Sequence, residues 1–121
     1  MVSVRRVLVV DDELDVIRAL HMGLEMFGYE VHGERDGLAA LDAARVFRPH
    51  AAVIDLALPG MTGCELATRL RRLAELEQVR LIALTGFSDA NHRAATRAAG
   101  FDRHLLKPAS LSQLSAALAG C

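Results

Sequence analysis

Four short stretches of the chain are almost continuously apolar: VLVV at 7–10, AAVI at 51–54, LIAL at 81–84 and HLL at 104–106. A segment with no polar face has no side to offer to water. Each therefore predicts a strand covered on both faces, as in a parallel sheet. A fifth segment, YEVHGE at 29–34, alternates instead and predicts an edge strand with one wet face. Helical patterns separate these strands. The first runs from about Leu14 to Phe27, with Val16, Leu20, Leu24 and Phe27 on one face and Gly28 placed to end it. The second, Ala-rich, covers about 37–47. The third opens at Thr62, which forms a T-x-x-E capping box with Glu65. The fourth covers about 91–99 and stops at Gly100; its apolar residues are mostly alanines, so it should be the most weakly anchored. The fifth opens at Ser110, boxed with Gln113, and buries Leu111, Leu114 and Leu118.

Alternation of strand and helix predicts right-handed crossovers and helices on both faces of one sheet. With no repeat, linker or low-complexity tract, residues 1–121 read as one doubly wound α/β domain. A formal charge of -1 argues against a phosphate-backbone binder. Four Phe, one Tyr and no Trp argue against a base-stacking platform. Cys64 and Cys121 form no pattern and suit free thiols in a reducing compartment. No apolar run approaches a membrane span, and the N-terminus turns acidic too soon for a signal peptide, so a cytoplasmic protein without membrane contact is expected.

Ligands of open α/β sheets bind beyond the carboxyl ends of the strands. Those ends carry Asp11 and Asp12 after the first strand, Asp55 after the third, Thr85 after the fourth, and Lys107 with Pro108 after the fifth. Two carboxylates about 4 Å apart repel by roughly 1 kcal/mol in water and about 4 kcal/mol at an effective dielectric of 20. Such a group calls for a cation or a proton. Oxygen ligands alone suit a hard ion such as Mg²⁺, which keeps a position open for a phosphoryl oxygen. A carboxylate can serve as nucleophile in phosphoryl transfer. Asp55, the central acid, takes that role. Asp11 and Asp12 hold the metal, with the Ala57 backbone carbonyl as an added ligand. Thr85 donates to one phosphate oxygen, and Lys107 pairs with another.

The motifs VVDDE, VIDLALPGMTG, ALTG and HLLKP, in this order and each at a strand end, resemble the receiver domain of two-component response regulators from end to end. The resemblance implies a flavodoxin-like (βα)5 sheet in the order 2-1-3-4-5. It implies phosphate transfer to Asp55 from a histidine kinase or histidine phosphotransfer protein, with Mg²⁺ required, and a cis Lys107–Pro108 bond. It also implies a domain that turns over no separate substrate, a monomer or weak dimer, with no direct nucleic-acid binding. His104 occupies a position where that family usually has Tyr or Phe, a ring that turns inward when the threonine, here Thr85, reports phosphate. The wording GFDRHLLKP is similar to receivers attached to hybrid sensor kinases.

Each residue also has a bland reading. Asp11 and Asp12 could cap the first helix, Asp55 could be a turn former, and Pro59, Gly60 and Gly63 read as turn chemistry. The histidines show no metal-ligand spacing. Only the joint placement of five side chains at one rim outweighs these readings. Leu14, Ile17 and His21 form a second stripe on the first helix, expected to point outward and, with Pro108, to dock the helix bearing a phosphohistidine. Phe87, two residues past Thr85, is expected to flank the water path and slow hydrolysis. A dehalogenase-type phosphatase needs a second acid two residues after the nucleophile, where this chain has Ala57. A flavin binder would not place three acids, Asp11, Asp12 and Glu13, in its phosphate loop. A degenerate receiver kept only as an interaction module is disfavoured by the complete acid, Thr and Lys set.

Overall fold

The computed structural model describes residues 4–86 and 90–119. Phe87 and Cys121, and the side chain of His92, lie outside the described residues. In chain order the elements are β1 (Arg6–Val10), α1 (Leu14–Met26), β2 (Glu30–Glu34), α2 (Gly37–Phe47), β3 (Ala51–Asp55), α3 (Gly63–Arg71), β4 (Arg80–Thr85), α4 (Ala90–Ala99), β5 (Arg103–Leu106) and α5 (Leu111–Ala119). All strand pairs are parallel, in the order β2-β1-β3-β4-β5.

Strand alternation divides the core in two. Val7, Val9, Val53, Ile82 and Leu84 face α1 and α5, which cover them with Ile17, Leu20, Leu24, Leu114 and Leu118. Leu8, Val10, Ala52, Ile54 and Leu81 face α2 and α3, which supply Leu41, Leu66 and Leu70. Burying one such side chain stabilises the fold by about 1.5–3 kcal/mol. Both faces of β1, β3 and β4 are therefore dry, as their unbroken apolar runs require. β2 is an edge strand that buries only Val31.

The helix ends follow the expected chemistry. Gly28 takes φ +93° beyond α1. Its N–H donates to Glu25 O and that of Tyr29 to Leu24 O, a Schellman close. Thr62 Oγ1 accepts from Glu65 N–H at 3.1 Å. Ser110 and Gln113 complete a reciprocal box, at 3.0 and 2.9 Å. Asp36 caps α2 through Ala39 N–H at 2.8 Å, a signal the hydrophobic pattern does not carry.

Two expectations need correction. The buried face of α1 is Ile17, Leu20, Gly23 and Leu24, while Val16 is partly buried and Phe27, the C-cap, is half exposed. Ile17 is only 7% exposed, so it does not point outward and cannot dock a partner. The cause is Gly33 of β2: a Cβ there would overlap Ile17 Cγ2, so the missing side chain leaves the space that Ile17 fills. Equally, β5 is not a covered strand. It forms the second edge, with His104 and Leu105 partly buried and Leu106 exposed.

At the opposite, amino-terminal rim, His50 Nδ1 accepts the backbone N–H groups of Arg5 and Arg6 at 3.2 and 3.1 Å. Burial, then the charges of Arg6 and Arg5, lower its pKa from the ordinary 6.5. The unfolded chain therefore takes up this proton first. The stability contributed is present above about pH 6.5 and is lost as pH falls through that value toward the folded pKa. Thermal unfolding from about pH 8 to about pH 5 should show Tm declining in the acid half. His50→Asn, which accepts without titrating, should flatten part of that decline; an unchanged slope would remove His50 as its source.

Candidate functional site

The candidate acids, hydroxyl and ammonium each sit at the end of a strand or just past it, all at the same rim. The Asp11 N–H, following β1, donates to Glu34 O at 3.2 Å. Its carboxylate is 1% exposed, and Oδ1 accepts Glu13 N–H at 2.9 Å. The N-cap of α1 is Glu13, so neither Asp11 nor Asp12 stands at the cap position. Asp55 closes β3 at 5% exposure. Its Oδ1 accepts Ala57 N–H at 3.1 Å, and Oδ2 accepts from Lys107 Nζ at 3.2 Å. Thr85 closes β4 at 3% exposure, and its carbonyl accepts Lys107 N–H at 2.8 Å. The Lys107–Pro108 bond is cis.

Asp11, Asp12 and Asp55 each place a carboxylate oxygen within 4.8 Å of the others. Lys107 Nζ bridges the two buried acids, 2.9 Å from Asp11 Oδ2 and 3.2 Å from Asp55 Oδ2. Burial of the ammonium opposes its charge, but the hydrogen bonds and charges of Asp11 and Asp55 outweigh this and raise its pKa above the ordinary 10.5. Lys107 is thus a fixed positive charge.

The three carboxylates outnumber the one ammonium that bridges them, and Glu13 adds a fourth acid 3.9 Å from Lys107, so a divalent cation would offset the net negative charge. Asp11 Oδ2 is buried and, apart from the Lys107 ion pair, accepts no hydrogen bond among the described residues. An all-oxygen cluster of this kind, with Lys107 as the one partner of a buried carboxylate oxygen, fits a hard cation.

Other candidates are placed differently. Leu14 is exposed at the start of α1 and His21 pairs with Glu25 at 3.1 Å, while Ile17 is in the core. Pro108 instead joins Val16, Ala19, Leu20, Leu84 and Ala109 in an apolar hollow beside Lys107. His104 lies 3.4 Å through Nδ1 from Thr96 Oγ1 of α4, and its buried Nε2 has no hydrogen-bond partner among the described residues. Gly60 supplies the turn, with φ +78°. Gly63 acts otherwise: a Cβ there would lie 2.7 Å from Asp55 O and 2.8 Å from Leu56 Cα. It lets α3 start directly against the acid-bearing loop.

Fold and site together define a doubly wound α/β domain with an acidic, cation-suited cluster at the carboxyl rim of its sheet. The profile of the response regulator receiver domain matches residues 7–119. The chain is 40% identical over 115 residues to the transcriptional regulatory protein PrrA of Mycobacterium leprae, covering 95% of this chain and 48% of that protein. It is 36% identical over 111 residues to the response regulator MprA of Mycobacterium avium, covering 92% and 48%. Among solved structures, chemotaxis response regulator CheY4 of Vibrio cholerae matches with a TM-score of 0.89 at 28% identity, over 96% of this chain and 97% of that one. The receiver domain of a signal transduction histidine kinase from Syntrophus aciditrophicus matches at 0.84 and 26%, over 94% and 86%. The chain belongs to the response regulator receiver domain family, a family of signalling domains. It spans about half the length of the curated relatives it matches. Both transcriptional regulators and a kinase receiver are thus similar to it.

The Gly63 contact gives a direct test. Both atoms a Cβ would meet are backbone, so nothing flexible can yield. Gly63→Ala should destabilise by about 1–3 kcal/mol in urea denaturation; an unchanged midpoint would show that the loop relaxes freely.

Proposed function

We propose that this domain accepts a phosphoryl group on Asp55 from the phosphohistidine of a histidine kinase or histidine phosphotransfer protein, and that Mg²⁺ is required. The observation that carries this reading is the cluster of Asp11, Asp12 and Asp55 carboxylates within 4.8 Å, with Lys107 bridging two of them. Mg²⁺ would be held by these acids and the Ala57 carbonyl, and would supply neutralisation of the charge that builds on the transferring group. An Asp55 carboxylate oxygen attacks phosphorus, forming a P–O bond. The P–N bond to the donor imidazole breaks, and its electron pair leaves on that nitrogen. Lys107 and Thr85 lie at the same rim to receive phosphoryl oxygens as the charge of Asp55 grows. The domain thus assists its own phosphorylation and hydrolysis and has no separate substrate. The complete residue set weighs against a purely adhesive module. This reading puts the domain in the cytoplasm with its donor; no helix among the described residues is long and apolar enough to cross a membrane.

His104 carries the switch in this reading. Its register partner is Ala83, two residues before Thr85 on the same face of the sheet, and its ring reaches Thr96 of α4. A shift of Thr85 toward the phosphoryl group would therefore be felt through His104 at α4. The donor docks on Leu14 and on the hollow edged by Pro108, in place of the stripe that included Ile17.

Radiolabelling by a small phosphodonor such as acetyl phosphate should occur on the wild type with Mg²⁺ and vanish both with a chelator and in Asp55→Asn. Persisting label in Asp55→Asn would refute the assignment of the acceptor. Leu14→Asp should slow transfer from a phosphohistidine donor while sparing the small donor. An equal fall in both rates would mean that Leu14 serves the site and does not dock the partner.

A further inference from the structure

One cation near the acidic rim has no part in the reading above. Arg35 follows β2 directly, and its guanidinium reaches across to the loop after β1. Both Nε and Nη2 donate to the backbone carbonyl of Asp12, at 3.2 and 3.0 Å. A planar fork closing on one carbonyl fixes both its position and its direction. The fork is itself anchored on both sides. Glu34 O accepts Asp11 N–H at 3.2 Å, and Asp36 is held as the N-cap of α2 through Ala39 N–H at 2.8 Å.

Asp12 is the acid that most needs such a hold. Asp11 and Asp55 are buried and share Lys107, whereas Asp12 is only partly buried and no hydrogen bond or ion pair holds its carboxylate among the described residues. The three acids repel, and Asp12 is the one free to swing away into water. Rotation of its side chain away from the cluster is easiest if its backbone can also turn. Locking the carbonyl removes that freedom before any cation arrives.

We infer that Arg35 is a positioning residue for the cation site: its fork on the Asp12 carbonyl holds the Asp12 carboxylate in the cluster with Asp11 and Asp55. This rests on the proposed cation site, but a positive charge held on the backbone of one of its acids makes the outcome separable. If Arg35 acted only through charge, its removal would tighten cation binding, because one repulsive charge would be gone. If it acts by positioning, its removal weakens binding.

The test is calorimetric titration of Mg²⁺ into the unphosphorylated domain, comparing wild type, Arg35→Ala and Arg35→Lys. Arg35→Ala should bind about threefold to tenfold more weakly, the equivalent of about one hydrogen bond. Arg35→Lys keeps the charge but cannot fork, and should also bind more weakly than wild type. The Mg²⁺ concentration giving half-maximal labelling should rise in parallel, and the labelling rate should recover as Mg²⁺ is raised. Tighter or equal binding by Arg35→Ala, or wild-type binding by Arg35→Lys, would overturn the inference. Failure of the wild type itself to bind Mg²⁺ would instead strike at the site reading on which it rests.

Discussion

The constraint on which this structure depends is the mutual repulsion of carboxylates brought together at the edge of a dry sheet. Asp11 and Asp55 are almost wholly buried, and Asp12 joins them within 4.8 Å. Lys107 makes the cluster tolerable, because its ammonium sits between two of the acids and stays charged. One lysine neutralises only part of the charge, and the remainder defines what the site attracts. In the proposed reading, a cation and a phosphoryl group would complement each other there, each making the other easier to bind.

That balance requires loops from distant parts of the chain to be held to within fractions of an ångström, and the backbone does this directly. The loops after β1, β3 and β5 each begin with a main-chain hydrogen bond to a neighbouring strand end. Asp11 N–H reaches Glu34 O at 3.2 Å, Leu56 N–H reaches Leu84 O at 3.1 Å, and Lys107 N–H reaches Thr85 O at 2.8 Å. The ladder of the sheet therefore continues one residue past its strands, into the functional rim. The apolar runs of β1, β3 and β4 anchor these loops because they are buried on both faces and cannot shift register without exposing a full row of side chains.

Much of this was legible in the sequence because two of its signals are local. Unbroken apolar runs mark central strands, and Ser110, Thr62 and Gly28 mark helix ends, without reference to any other part of the chain. The site residues were legible because a parallel sheet carries every strand's carboxyl end to one rim. What escaped depends on pairs distant in sequence. Ile17 looks like an outward residue by helical periodicity, and only the vacant space over Gly33 draws it inward. The hold of Arg35 on Asp12 spans 23 positions and has no spacing signature. Gly63 reads as one more turn glycine, until its closeness to the Asp55 carbonyl is measured. HLL at β5 looks like a central strand, since three residues cannot show whether a further strand lies beyond them.

The distribution of anchoring also bears on how a change at Asp55 would be transmitted. α1 buries Ile17, Leu20 and Leu24, and α3 buries Leu66, Ala67 and Leu70. The one residue of α4 that is fully buried among those described is Thr96, and its hydroxyl meets the imidazole of His104. Each buried leucine would add about 1.5–3 kcal/mol to the cost of displacing a helix. Converting a two-state element from about 1:99 to about 99:1 takes roughly 5.5 kcal/mol of differential interaction. A new phosphoryl group and its rearranged ion pairs act on that scale, so a helix held by several leucines would resist them. An element attached, among its described residues, through a threonine, the partly buried Ala99 and a polar ring on an edge strand would not. The weak apolar content of α4 and the strong apolar content of α1 and α3 thus divide the domain into a frame that keeps the acids in place and a part that can answer to them.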